Sequence, residues 1–292
     1  MKLSTLHNTS SFFIFFLLSF FFHLHSFVGA QGWEKNFNWN EVSLGYSVQG
    51  IDNGNYILTG QIGYLATGSN DIFVYSINLS GDTLWTKKFG NGGQFNGGRI
   101  VQKTTDGGFI VLGYIQEFPL ASTDLFLIKF DANENVEWTK TIGNPTNSED
   151  PSYIVQTTDG GYVIIGGRCI DGVGCFILLV KTDSLGNESW SKTIGSGYEN
   201  GISVQQTIDN GFILATIYND FFPQTSTIHI IKTDSIGNII WDKSYNNNIN
   251  NAVGTVYKTN DGGFMLSAFS GIAFSQIDLS YLMKLDSNGD SI

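Results

Sequence analysis

From residue 33 on, short apolar runs alternate with polar turns that carry glycine, and the same alternation keeps returning. In its clearest copy, Tyr153-Ile-Val-Gln-Thr-Thr158 reads as a strand and Asp159-Gly-Gly as a tight turn in which glycine supplies the positive φ. Tyr162-Val-Ile-Ile-Gly-Gly167 is a second strand. Cys175-Phe-Ile-Leu-Leu-Val-Lys-Thr182 is a continuous apolar run, the pattern of a strand buried on both faces. Asp183-Ser-Leu-Gly-Asn187 turns the chain again, and Glu188-Ser-Trp-Ser-Lys-Thr-Ile194 alternates as a half-exposed fourth strand.

Trp33, Trp85, Trp138, Trp190 and Trp241 mark the fourth strand at intervals of 51 to 53 residues, and Asp106, Asp159, Asp209 and Asp261 mark the first turn. Four strands in about 52 residues make one blade of a β-propeller, so the fold class is all-β. The copies depart locally. The first has Asp52-Asn-Gly-Asn-Tyr56 at its turn and Ser76 where the others carry Lys129, Lys181, Lys232 and Lys284; the second has Glu134 for a turn glycine; the fourth has Asn210. No helical period and no linker occurs after residue 30, so residues 31–292 read as one repeat domain.

The chain enters at Trp33, equivalent to a fourth strand, and ends at Ile292 where another Trp is due. Five blades follow if the Trp33 strand completes the last one and closes the ring, which removes exposed edges. A fragment of a longer array fits the same phase.

Residues 1–30 read as a signal peptide: Lys2, the eleven-residue apolar run Phe12–Phe22, and small residues Val28-Gly-Ala30 with cleavage after Ala30. That run is too short to span a membrane, and no membrane span is expected in the mature chain. Export places the protein outside the cell or on its surface. It also makes a disulfide of Cys169 and Cys175, which flank one hairpin loop and are the only cysteines. The net charge of −11, with no basic cluster, argues against nucleic acid as a partner.

The repeated pattern Thr-x-Asp-Gly-Gly-aromatic, then Lys-x-Asp-x-x-Gly-Asn-x-x-Trp-x-Lys, over residues 33–292, resembles the propeller-type repeats of secreted and cell-surface bacterial proteins, notably of Bacteroidetes. Many of these end in a type IX secretion sorting domain, which is not found within this sequence and leaves the export route beyond the leader open. The resemblance implies a propeller and export, and it brings no catalytic residues.

The recurring residues read first as scaffold. Trp and the Lys two positions later share a strand face and suit packing between blades; Lys181 and Asp183 likewise share a face and read as serving the turn and pairing between blades. Each Asp-x-x-Gly-Asn turn offers one acid and one amide, too little for calcium, and no cofactor is implied. The mature chain has a single histidine, His229, within an apolar strand, and it holds no nucleophile or phosphate-loop motif. No catalytic or metal residue is therefore assigned. The function expected is a non-enzymatic, secreted propeller presenting a protein- or glycan-binding face. The alternatives are a carboxylate-dependent carbohydrate-active enzyme, favoured if unrepeated acids converge at the channel mouth, and a purely structural surface module. The uniform turns fall on one face of the ring and the variable loops on the other. Ligand contacts are expected on the variable face, through Phe118, Phe221, Phe222 and Phe274 with Glu117 and Asp220.

Overall fold

The computed structural model describes residues 34, 42–63, 69–90, 94–116, 122–195, 197–221, 224–245, 250–271 and 278–292. Trp33 and most of the proposed closing strand lie outside these residues. The first blade consists of β1 (Val42–Gly50), β2 (Tyr56–Gly63), β3 (Asn70–Ile77) and β4 (Thr83–Phe89). The second consists of β5 (Gly97–Lys103), β6 (Phe109–Gln116), β7 (Thr123–Phe130) and β8 (Val136–Ile142). The third is β9 (Asn147–Gln156), β10 (Tyr162–Ile170), β11 (Gly174–Thr182) and β12 (Glu188–Ile194). In the fourth, β13 (Glu199–Gln206), β14 (Phe212–Phe221), β15 (Gln224–Thr233) and β16 (Ile239–Tyr245) follow the same order, and the fifth has β17 (Asn250–Lys258), β18 (Phe264–Gly271) and β19 (Asp278–Leu285). Each blade is an antiparallel meander in chain order, and a single parallel bridge, Ser226 to Asn250, joins the fourth to the fifth.

Two details differ from the sequence expectation. Strand pairing in the third blade runs on to Cys169↔Cys175 and Ile170↔Gly174, and β9 starts at Asn147 rather than at Tyr153. The hairpin there closes only across residues 171–173, and the Cys169–Cys175 disulfide forms between directly paired residues with a Cα separation of 4.0 Å. Lys181 also does not bridge to a neighbouring blade, whereas Asp183 does serve its turn, its carboxylate accepting the N–H groups of Leu185 and Asn187.

Lys181 instead reaches across the blade to the first turn. Its Nζ, 2.8 Å from Asp159 Oδ2, also donates to the Thr182 carbonyl. The same ion pair recurs at 2.8 Å for Lys129–Asp106, Lys232–Asp209 and Lys284–Asp261. A largely buried ammonium is tolerable only when its donors are met, and a carboxylate plus a carbonyl meet them. Burial raises the carboxyls of Asp106, Asp159 and Asp209, but bonds from the lysine, from the turn threonine and from a glycine N–H outweigh it and hold them near 2.

This pairing explains the second glycine of Asp-Gly-Gly. A Cβ on Gly161 would lie 2.1 Å from the Thr182 carbonyl and 2.7 Å from Lys181 Nζ, and Gly108, Gly211 and Gly263 are confined in the same way. The first position needs only a positive φ, which Asn210 adopts at 62°. In the first blade the whole set changes together. Ser76 replaces the lysine, Asn53 the aspartate and Asn55 the confined glycine, and Glu134 from the second blade fills the space. Its carboxylate accepts Asn53 Nδ2 at 2.7 Å, Asn55 Nδ2 at 3.0 Å and the indole N–H of Trp85.

Between blades, Trp138, Trp190 and Trp241 lie under the next blade's second turn. A Cβ on Gly186 would meet the Trp138 ring at 2.6 Å, and Gly237 and Gly289 stand likewise over Trp190 and Trp241. The lysine two residues on reaches the same turn, as Lys140 Nζ does to Asn187 Oδ1 at 2.8 Å. The apolar core lies in sheets of side chains between adjacent blades, such as Ile110, Leu112, Leu125 and Leu127 against Ile154, Ile164, Leu178 and Val180. Gly161→Ala is expected to destabilise the protein by about 2 kcal/mol or more, because backbone and a buried ammonium block the methyl. Asn55→Ala, which forfeits one part-buried bond to Glu134, should cost about 1 kcal/mol or less. Urea denaturation of both variants tests the ranking, and equal costs would refute the confinement.

Candidate functional site

Interactions among blades place β1, β5, β9, β13 and β17 against one another, so these first strands are the innermost. Each carries a bulge within its length. The register shifts between Gly45 and Ser47, Gly98 and Ile100, Ile165 and Gly166 (opposite Ser152), Gly201 and Ser203, and Val253 and Val256. A bulge leaves one residue unpaired and re-aims its side chain. The bulged residues Tyr46, Arg99, Ser152 and Ile202 differ from blade to blade, in contrast with the uniform turns at the other end.

Arg99 is the centre of a cluster drawn from three blades. Its guanidinium carbon lies 5.2 Å from the ring centre of Tyr46 on β1 and 5.0 Å from that of Tyr114 on β6. Its Nη2 is 3.2 Å from Asp150 Oδ1 on β9. Tyr114 fits because its cross-strand partner is Gly97, where a Cβ would strike the ring. Burial raises the Tyr114 phenol. Tyr46 is 44% exposed and the Asp150 side chain 57%, so this cluster is an open rim.

Behind the rim is a buried set of acids. Glu149, the neighbour of Asp150, has no exposed surface; its Oε1 accepts from Arg168 Nε at 2.9 Å, and its Oε2 has no hydrogen-bond partner. Arg168 also donates to Thr193 at 3.1 Å. Burial, with the nearby charge of Asp124, outweighs Arg168 and pushes the Glu149 carboxyl up to about 7. At the equivalent place in the first blade, Asp71 and buried Asn96 sit where a Cβ on Gly90 would go, and Glu199 fills that space at Gly195. Asp71, Asp124 and Glu199 thus take the same kind of place at three successive blade junctions, with Glu149 beside Asp124, and none of them belongs to the turn repeat. Among the described residues no three metal-ligating side chains come together.

Of the residues expected to contact ligand, Glu117, Phe118, Phe222 and Phe274 lie outside the described residues. Asp220 and Phe221 belong to β14, paired with Thr225 and Gln224. His229, on β15, is partly buried, with its ring nitrogen 3.2 Å from Ser244 Oγ. Arg99, Asp150, Tyr46, Tyr114 and Glu149 were not singled out from sequence. The signal available was negative: these are the charged and aromatic residues that the repeat does not dictate.

No protein-family model and no curated protein matches the chain. Solved structures do. A protein of unknown function from Dyadobacter fermentans matches at 12% identity and a TM-score of 0.54, over 81% of this chain and 75% of that one. The β-propeller domain of the trilobed protease from Pyrococcus furiosus, with an open velcro topology, matches at 9% identity and 0.50, over 88% and 71%. An endo-arabinase from Bacteroides thetaiotaomicron matches at 10% identity and 0.47, over 84% and 94%. At this identity the match to the Pyrococcus propeller domain shows the fold alone. The expectation of a non-enzymatic propeller is corrected: the solved chains that match this one include carbohydrate-active enzymes, the endo-arabinase and a GH43_1 enzyme from Xanthomonas citri among them.

Because burial raises the Glu149 carboxyl from 4.5 to about 7, the folded state binds a proton there that the unfolded chain releases. Stability should therefore fall as pH rises from about 4.5 to about 7 and level off above that. In Glu149→Gln this slope should be lost. A midpoint of urea denaturation measured from pH 4.5 to 8 reads it, and an unchanged slope in the variant would place the titration elsewhere.

Proposed function

We propose that the chain is an exported carbohydrate-active propeller that cleaves glycosidic linkages with carboxylates at the inner-strand end of its blades. The reading is carried by one observation: Asp150, exposed and ion-paired to Arg99, follows directly on Glu149, buried and holding its proton up to about neutrality. Glycoside cleavage runs on carboxylates, and Asp150 is the one that the rim exposes to a sugar. In this reading Asp150 is the carboxylate that touches the sugar. Arg99 holds it and offers further donors to hydroxyl groups, and the exposed face of Tyr46 is a platform for a sugar ring. Glu149 acts through Arg168 as a positioning residue whose protonation state sets the charge behind the rim.

The names of similar propellers support carbohydrate as the substrate class: an arabinase, a putative exo-β-1,3-galactanase and a β-1,2-mannobiose phosphorylase. Export is supported by the leader at residues 1–30 and the Cys169–Cys175 bridge, in keeping with the secreted bacterial repeats that the chain resembles.

Reducing-sugar release from arabinan, β-1,3-galactan and β-1,2-mannobiose, the last with and without phosphate, tests the proposal. Activity on at least one is expected. Asp150→Asn should lower it at least about 100-fold and Arg99→Ala about 10-fold or more, while Ser184→Ala on the opposite face leaves it unchanged. Inactivity across the panel, or full activity in Asp150→Asn, would sink the proposal.

A further inference from the structure

On the turn face, the last residue of each inner strand reaches back to the first turn of the preceding blade. Gln156 Oε1 accepts the Thr105 N–H at 2.8 Å, and Gln206 Oε1 accepts the Thr158 N–H at 2.8 Å. At the first junction Lys103 makes an ion pair with Asp52 instead. Between the fourth and fifth blades the two positions are Lys258 and Ile208, and neither solution works. An ammonium has only donors, so it cannot accept the Ile208 N–H, and isoleucine offers no carboxylate. Lys258 turns to the Gln206 carbonyl at 3.3 Å, and Ile208 is left 89% exposed.

The unfilled junction is a cavity of about 230 Å³, walled by Ile208, Phe264, Thr259, Lys258 and Ser287. Lys232 in its wall is neutralised by Asp209 at 2.8 Å. Lys258 has no carboxylate within ion-pair distance among the described residues. The cavity therefore combines an apolar wall, one uncompensated cation and a main-chain N–H that lacks the acceptor present at the two preceding junctions. We propose that it binds a small organic carboxylate, with the apolar body against Ile208 and Phe264 and the carboxylate oxygens on Lys258 Nζ and the Ile208 N–H. The site is separate from the rim around Arg99 and stands on different residues. It also puts a ligand on the face that the uniform turns mark as scaffold.

Phenylacetate is the probe, with phenylacetamide as its uncharged counterpart. In an amide NMR titration, phenylacetate should give saturable shifts at Ile208, Lys258 and Thr259, and phenylacetamide should bind at least tenfold more weakly. Lys258→Gln installs the contact that works at the two preceding junctions and should weaken phenylacetate at least tenfold. Ile208→Asp supplies an internal carboxylate, as Asp52 does for Lys103, and should do the same. Shifts that do not saturate, equal binding of the amide, or undiminished binding in both variants would overturn the proposal.

Discussion

A lysine from the third strand, sunk into its own blade, dictates the rest of the repeat. Its ammonium requires anionic and carbonyl partners, since an unmet buried cation costs several kcal/mol. The aspartate of the first turn and the carbonyl after the lysine supply them, at 2.8 Å each for Lys181. With those three atoms in place, the turn residue facing them can have no Cβ. Lysine, aspartate and glycine lie up to two dozen residues apart and are consequences of one contact. The first blade supports this by exception: without the lysine, the aspartate becomes Asn53, the glycine becomes Asn55, and Glu134 enters from the neighbouring blade with the charge reversed.

The second constraint joins blades. Tryptophan rings on the outer strands fit under turn glycines of the next blade, and a lysine holds the same turn. Both constraints act at the turn end and on the blade faces. They leave the opposite end of the inner strands free to vary, and there the bulges present Tyr46, Arg99, Ser152 and Ile202. A rigid frame with one unconstrained end is a common placement for function. The carboxylates at three blade junctions are accommodated by the same device, a glycine whose missing side chain leaves space for an acid.

Departures from a repeat carry different meanings at its two ends. At the turn end a departure demands a compensating partner, as at Glu134, and where the partner is lacking, as at Lys258 and Ile208, a cavity results. At the bulge end no partner is demanded, because the bulged residue is outside the ladder.

The sequence by itself determined the blade. Its period, the order of its four strands, the two glycine turns and the packing role of tryptophan were all legible, because each depends on residues near one another in the chain or repeated at a fixed spacing. The hairpin placing Cys169 opposite Cys175 was legible for the same local reason. Only the tertiary structure decided that Lys181 bonds Asp159 rather than Asp183, since both lie within reach along the chain and the pleat alone does not choose between them. It likewise decided the candidate site. Arg99 meets Tyr46 across one junction and Asp150 across another, 53 and 51 residues away. Nothing in the local pattern of any one blade records which residues the neighbouring blades will bring to it.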